Sequence, residues 1–240
     1  MTHVAHPFIQ RLGINRDWRS RWFTNEPKRF REYLRVDAVL RKFLKKRLTG
    51  MSVDEIEIER DEKTLRIVIK TSRPGLVIGR SGEGATKLKK DIDMLLRKQK
   101  LEEKPEIKID IEEIRSPESS ASIVGQMVAE GLEKRMPFRR VLKQTVEKVM
   151  ANRDVEGVRI IVSGRLGGAD MARREELKRG QVPLQTLRAD IDFARVRAIL
   201  PYGTIGIKVW IYRGQVFADR KSQSASNEST SRGAQSSRTN

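Results

Sequence analysis

A short loop with two glycines, Gly79-Arg80-Ser81-Gly82, restricts the possible folds of this chain more than any other segment. Residues 55–59 and 65–70 carry apolar side chains at every second position on either side of a polar turn, which predicts a β-hairpin before the loop. Residues 84–100 place leucines and an isoleucine on one side with lysines around them, which predicts an amphipathic helix after the loop. The loop therefore joins a strand-rich segment to a basic helix.

The elements around this loop form a recognisable unit. Residues 27–48 repeat apolar side chains at helical spacing, with Pro27 suited to the first turn and Gly50 to the C-cap. Residues 76–78 suit one short helical turn, and residues 107–111 alternate as a third strand. Because a helical segment connects the second strand to the third, we expect these two strands to run parallel. This order of elements resembles the prokaryotic-type (type II) KH domain.

The glycine loop has the chemistry that a nucleic-acid contact needs. Gly79 and Gly82 lack Cβ atoms, so an RNA backbone can approach closely, and the free N–H groups at the start of the next helix face the phosphates. Arg80 adds charge and Ser81 adds a hydroxyl donor. The resemblance to KH domains implies that these four residues clamp RNA, although an ordinary turn between two helices has the same composition.

Two other phosphate-binding loops fit less well. Gly79 and Gly84 have the separation found in ATP-binding loops, but Ala85-Thr86 stands where a lysine followed by serine or threonine must reach the phosphates and magnesium. The glycine spacing also differs from that of dinucleotide-binding folds.

The overall charge points to a polyanionic partner. The chain has 50 lysines and arginines against 32 acidic residues, a formal charge of +18. Nucleic acid fits better than a membrane, because no apolar run approaches the roughly 20 residues of a spanning helix. With no cysteine and two histidines near the N-terminus, we expect no metal site and no cofactor.

The second half of the chain predicts two helices on an antiparallel sheet, and hence an α+β fold. We expect one helix to begin at Ser116 (N-cap) and Pro117, and another at Pro137. Strands are predicted at 158–162, 184–193 and 204–212, with a short charged helix at 170–179. The predicted divisions are an N-terminal arm (1–27), a KH domain (28–115), a C-terminal α+β domain (116–218) and a disordered tail (219–240).

Arg139, Arg140 and Lys143 form a basic edge on the predicted helix after Pro137. Phe138 and its apolar neighbours face inward, so the three cations share the exposed side. Four residues rise about 6 Å along a helix, close to one phosphate step of an extended strand. A solvated helix edge would be the default explanation, but the excess positive charge favours RNA contact.

Further arginines are candidates for RNA contact, and acidic residues near some of them are not candidates for catalysis. The arm mixes arginines with aromatic residues, and we expect Trp18 and Trp22 to pack on the domain behind it. Asp170, Asp190 and neighbouring acids alternate with arginines and have no histidine or nucleophile nearby, so we expect ion pairing instead of chemistry. The candidate RNA contacts are Arg11, Arg16, Arg19, Arg165, Arg173 and Arg188.

Specific motifs over roughly residues 7–217 resemble the bacterial type of the small-ribosomal-subunit protein S-three family. The opening Arg11-Leu12-Gly13-Ile14, with Trp18 and Trp22-Phe23, is similar to the start of that family. Its signature is matched by Ser163-Gly164-Arg165-Leu166-Gly167-Gly168-Ala169, Val182-Pro183-Leu184, Thr186-Leu187-Arg188-Ala189-Asp190-Ile191-Asp192 and Tyr202-Gly203.

The resemblance implies a structural, non-enzymatic protein of the ribosome in a bacterial cytoplasm. It implies binding to 16S rRNA in the head of the small subunit, beside proteins S-ten and S-fourteen. It also implies a place at the channel by which mRNA enters, near S-four and S-five, where Arg139, Arg140 and Lys143 grip mRNA. Two alternatives stay open: a free-standing KH regulator or assembly factor, and a nuclease or lyase acting on DNA.

Overall fold

The computed structural model describes residues 6–61, 63–98 and 105–217, which form two units, each with a four-stranded sheet. The predicted tail at 219–240 lies outside these ranges. Within them, every helix is too short or too polar to cross a membrane. In chain order the elements are α1 (Pro7–Gln10), β1 (Ser20–Arg21), α2 (Pro27–Arg47), β2 (Val53–Arg60), β3 (Thr64–Thr71), α3 (Pro74–Ile78), α4 (Glu83–Lys98), β4 (Glu106–Glu113), α5 (Ala121–Glu133), α6 (Phe138–Met150), β5 (Gly157–Gly164), β6 (Arg173–Gly180), β7 (Ala189–Leu200) and β8 (Gly203–Gln215).

The first unit confirms the KH element order and strand directions. Its sheet has the order β1-β2-β3-β4, in which β2 and β3 are an antiparallel hairpin and β4 runs parallel to β3. Helices α2 and α4 bury one apolar stripe each against this sheet, including Leu40 and Ile92, which are fully buried. Because α3 and the glycine loop lie between β3 and α4, the core fixes both ends of the loop.

The second unit confirms the prediction of helices on an antiparallel sheet. Its strand order is β6-β5-β8-β7, with every neighbouring pair antiparallel. Helices α5 and α6 cover one face, where Val128, Val146 and Ile160 belong to a single buried cluster. The opposite face has a smaller cluster that includes Ile191, Phe193 and Trp210. Parts of both faces are therefore covered, which is why consecutive residues of β8 from Val209 to Tyr212 are all buried.

The N-terminal arm connects the two units and is more regular than predicted. Helix α1 packs against β7, and the His6 and Phe193 rings meet edge to face with centroids 4.7 Å apart. Strand β1 then pairs in parallel with β2 of the first unit. Trp22 packs against α2 and donates to Asp37, as expected. Trp18 is 63% exposed, so the prediction that it packs is wrong.

Hydrogen bonds also join the two units directly. The Ser120 hydroxyl lies 2.6 Å from Asp54 Oδ1, and the Gln126 side-chain amide donates to the Val53 carbonyl at 2.6 Å. Both bonds link α5 or its N-cap to the start of β2. The division predicted at residue 115 stays a prediction.

Three predicted elements in the second unit differ from the structure. Helix α5 begins at Ala121, and its N-cap is Ser120, whose hydroxyl accepts from Ile123 N–H; Pro117–Ser119 form a separate short 3₁₀ turn. The charged helix predicted at 170–179 is instead the edge strand β6. Its Arg, Glu and Leu residues favour helix locally, and pairing with β5 overrides that preference.

The strand predicted at 184–193 begins later, at Ala189, and continues to Leu200. The carbonyls of Leu184 and Thr186 accept hydrogen bonds from the Arg11 side chain. These carbonyls therefore face the arm, and the segment forms a loop in place of the start of a strand.

Candidate nucleic-acid interface

The glycine loop is exposed and has the backbone conformation that glycine permits. Gly79 and Gly82 have φ angles of 73° and 80°, a region in which L side chains are strained. Ser81 between them also has a positive φ of 54°. All four loop residues are open to solvent or nearly so, and helix α4 begins directly after them at Glu83, whose own N–H is bonded to the Arg80 carbonyl. The loop thus offers donors at a place where a sugar–phosphate backbone can approach.

The loop also requires glycine at position 84, a constraint that the sequence did not reveal. A Cβ atom there would lie 2.6 Å from the Val77 carbonyl oxygen and 2.7 Å from that of Ile78. The first turn of α4 therefore packs directly on the end of α3. In the sequence, the separation of Gly79 and Gly84 matches the spacing of ATP-binding loops. In the structure, position 84 requires glycine because of this close approach.

A groove lies beside the loop, between the start of α4 and the edge strand β4. It has a volume of about 380 Å³ and is lined by Ala85, Thr86, Lys89 and residues 107–110. Lys89 places a cation at the rim of the groove, and the small side chain of Ala85 leaves space along one wall. The sequence predicts the loop but not this groove, because the groove exists only where the helix and strand come together.

The predicted basic edge of α6 is exposed and joined by a residue from β6. Arg139, Arg140 and Lys143 are all exposed, while Val141 and Leu142 between them are buried. The Arg139 and Arg173 guanidinium groups lie 5.6 and 5.3 Å from the centroid of the Phe138 ring. We call Arg139, Arg140, Lys143 and Arg173 the α6 patch.

One acidic residue reduces the charge of the α6 patch. Glu175 on β6 lies 3.6 Å from the Arg139 guanidinium, but 72% of the Arg139 side chain is exposed, so water screens this pair. Arg173, predicted as a separate rRNA contact, lies in this patch because β6 is a strand beside α6. Nothing in the sequence spacing brought these two segments together.

Arg11, predicted as an RNA contact, is instead buried within the fold. Its side chain is 0% exposed and donates to the carbonyls of Ala189 at 2.7 Å, Pro7 at 3.0 Å, Leu184 at 3.0 Å and Thr186 at 2.9 Å. Burial lowers the pKa of this guanidinium from its ordinary value. Three of its four hydrogen bonds hold the arm on the second unit and the fourth lies within the arm, so the side chain has no exposed surface for the predicted RNA contact.

The other candidate arginines differ in how many contacts their side chains make within the fold. Arg16 pairs with Asp190 at 2.7 Å, and Arg19 pairs with Glu55 at 2.6 Å. Arg165 donates to the carbonyls of Ala169 and Tyr202 and to Asp170, so it mainly holds its own loop. Arg188 is exposed beside the Phe217 ring. As RNA contacts these four remain predictions.

The acidic residues of the second unit act as ion-pair and hydrogen-bond partners, as expected. Asp192 accepts from the backbone N–H of Ala121 at 2.7 Å and lies 3.3 Å from Arg213. Asp190 lies between Arg16 and Arg213, and Glu176 pairs with Arg159 at 2.7 Å. The Arg159 hydrogen bond lowers the pKa of Glu176. These carboxylates anchor loops and strand edges.

Comparison with known proteins identifies both units. The profile described as "Ribosomal protein S3, C-terminal domain" matches residues 128–211, and the profile described as "KH domain" matches residues 39–119. The small ribosomal subunit protein uS3 of Caldicellulosiruptor bescii is 43% identical over 224 residues, covering 93% of this chain and 97% of that protein. The uS3 protein of Alcanivorax borkumensis is 46% identical over 216 residues, covering 90% of both chains.

Proposed function

Because this chain belongs to the family of the small ribosomal subunit protein uS3 and is thus a structural protein of that subunit, we propose that it binds 16S-type rRNA in the subunit head and helps to form the channel by which mRNA enters. The family assignment confirms the resemblance seen in the sequence. Proteins of this family are typically structural and not catalytic. We therefore expect the chain to act by holding RNA, with no enzymatic step of its own.

The observation that carries the proposal for mRNA is the exposure of the α6 patch. Val141 and Leu142 anchor the helix in the core, so the cations on the other side are held at fixed spacing on a rigid element. Four exposed cations face one screened carboxylate, that of Glu175. Such a surface attracts a sugar–phosphate backbone regardless of its sequence, which is what a channel for every mRNA needs.

The rRNA part of the proposal is supported by the KH unit. The loop from Gly79 to Gly82 and the groove beside α4 provide donors and open space where a backbone can lie. As protein neighbours we propose S-ten and S-fourteen in the head and S-four and S-five near the mRNA channel. Their place follows from the family and gives the chain a location on ribosomes in the cytoplasm.

Sedimentation tests the ribosomal proposal against a free-standing KH regulator. Tagged full-length protein should sediment with small subunits in a lysate gradient and stay bound in high salt, because a built-in protein has many contacts beyond phosphate pairing. Release of the protein from subunits at moderate salt, with the subunits intact, would favour the regulator.

The mRNA proposal is tested by Arg139→Ala combined with Arg140→Ala and Lys143→Ala. The variant should assemble into subunits normally, because all three side chains are exposed. Reconstituted ribosomes should translate an unstructured message at the normal rate but slow severalfold on a message with a stable hairpin. The ribosome supplies the pulling work, and the patch only holds the strand.

A matched control removes three other exposed cations of the second unit, with Lys148→Ala, Arg153→Ala and Arg179→Ala. It loses the same charge away from the α6 patch and should translate both messages normally. Equal rates on the hairpin message for the patch variant and the parent protein would overturn the mRNA assignment and leave rRNA binding untouched.

A further inference from the structure

We propose that the cleft between the two units is a binding site for an RNA phosphate backbone, an inference that rests on the proposed RNA-binding function. This inter-unit cleft has a volume of about 750 Å³. It is bounded by the end of α2, the start of β2, helix α5, His6 of the arm and residues 193–197 on β7. None of the residues predicted from the sequence to contact RNA, except Arg19, lies in it.

Cations without ion-pair partners line the cleft from both units. Among the described residues, Lys45 and Lys46 from α2 and Arg195 and Arg197 from β7 form no salt bridge, and all four are exposed. The other cations here are already used. Arg19 pairs with Glu55, and Arg41 donates to the carbonyls of Ile56 and Arg19.

The free edge of β7 adds backbone donors on the same side. The ladder between β7 and β8 has no bulge from Ile191 to Leu200. The N–H groups of Phe193 and Ile199 donate to the side chains of Asp192 and Glu133, and so point away from β8. In an antiparallel ladder, successive residues point their N–H groups alternately toward and away from the paired strand. The N–H groups of Arg195 and Arg197 therefore also point to the open edge.

His6 lines the cleft from the arm and has one unpaired polar atom. Its Nδ1 atom is buried and has no hydrogen-bond partner within the described part of the chain. Burial, and then the positive charges of Arg195 and Arg19, lower the pKa of this imidazole. Arg195 and Arg19 therefore lie close enough to His6 for their charges to act on it, and all three groups face the same cleft.

The carboxylates in the cleft already have hydrogen-bond or ion-pair partners. Stabilisation of a helix end is an alternative explanation for the unpaired cations, but it accounts for only two of the four. Glu55 is paired with Arg19, and Asp54 is bonded to Ser120. Lys45 and Lys46 lie in the last turn of α2, where lysines stabilise the helix dipole without any ligand. That explanation does not apply to Arg195 and Arg197, which lie side by side on one face of an edge strand.

Single-stranded RNA binding measured over a range of salt concentrations tests the site. The probe is a fluorescein-labelled oligouridylate of about 20 nucleotides, longer than most single-strand site sizes. Arg195→Gln with Arg197→Gln in the full-length protein should lower the salt slope, log Kd against log salt, by about 1.4, because each single-strand phosphate contact contributes about 0.7. Circular dichroism and thermal unfolding should match the parent protein.

The control, Lys178→Gln with Arg179→Gln, removes the same charge from the opposite edge of the same sheet and should keep the parent slope. Equal slopes for the cleft variant and the control would overturn the cleft site while leaving RNA binding intact. Poly-glutamate binding that weakens in the cleft variant, with an unchanged RNA slope, would assign the cleft to an acidic protein segment. No RNA binding by the parent chain would overturn the proposed function as well.

Discussion

Gly84 shows how one missing methyl group shapes the RNA-facing loop. The Cβ of any other residue would overlap the carbonyl oxygens of Val77 and Ile78. We expect Gly84→Ala to destabilise the first unit by roughly 1–3 kcal/mol, since α4 must shift away from α3. Urea unfolding of the full-length protein measures this. The control Gly75→Ala, where a Cβ would meet nothing within 4 Å, should be neutral or stabilise by up to about 1 kcal/mol.

Wild-type stability in the Gly84 variant would mean that α3 and α4 are not in contact as described. Gly79 and Gly82 were identified from the sequence because two glycines at that spacing already have an RNA-binding meaning. Gly84 was not, because its constraint arises from carbonyls that become neighbours only after α4 packs against α3.

Asp54 makes part of the stability depend on pH. Burial, and then the negative charge of Asp192, raise the pKa of this carboxyl from 3.8 to about 6, although the Ser120 hydrogen bond acts in the opposite direction. The folded state therefore holds this proton more tightly than the unfolded state. This contribution to the free energy of unfolding is fully present below the pKa of Asp54 in the unfolded chain. It is lost as the pH rises through the pKa of Asp54 in the folded protein.

We expect Asp54→Asn to remove this dependence while keeping an oxygen for Ser120 to donate to. The free energy of unfolding of the variant minus that of the parent protein should rise by about 2 kcal/mol between about pH 4 and about pH 7, because only the parent loses stability over this range. Urea unfolding at several pH values measures the difference, and the exposed Asp61→Asn is the control. A constant difference across this range would show that Asp54 is not buried between the units.

The arm and the second unit depend on each other through one buried side chain. Arg11 donates four hydrogen bonds to backbone carbonyls, three of them in the second unit. Arg11→Lys keeps the charge but cannot reach all four, so we expect a loss of roughly 2–4 kcal/mol. The exposed neighbour Gln10→Ala should have little effect. Faster proteolysis within residues 6–16 of the lysine variant, with thermal unfolding, would report the loss.

A stable and protease-resistant Arg11→Lys variant would contradict this role. An arginine among aromatic residues in a basic chain usually indicates RNA contact, so the local sequence predicts that role for Arg11. Its carbonyl partners are 173 to 178 residues away for three of the four bonds, so no local pattern contains them.

The two units differ in how much of them local sequence determines. In the KH unit, alternation and helical spacing predicted every strand and helix except β1, because most contacts there join neighbouring elements. In the second unit, β6 has a helix-like composition and becomes a strand only by pairing with β5. The α6 patch gains Arg173 by the same pairing, so its full extent could not be predicted either.

At the level of the whole chain, the sequence was enough for the family and the class of partner but not for the inter-unit cleft. The charge of +18 and the motifs around Gly164 and Ala189 indicate a ribosomal RNA-binding protein. The cleft combines the end of α2, the edge of β7 and His6, three segments far apart in the chain. Arg195 and Arg197 become notable only when the edge strand that carries them is seen to be open.

The docking of the arm has a consequence for synthesis on the ribosome. Arg11 is translated early, yet its partner Ala189 follows 178 residues later. At about 5–20 residues per second, the arm waits roughly 10–40 seconds in the cell before its binding surface exists. During that time Arg11 and Arg16, whose partners Ala189 and Asp190 are not yet made, are exposed to every nucleic acid nearby. A nascent chain of this protein therefore has a vulnerable period that ends only when nearly all of it has been made, which gives a chaperone or early rRNA contact a defined interval in which to act.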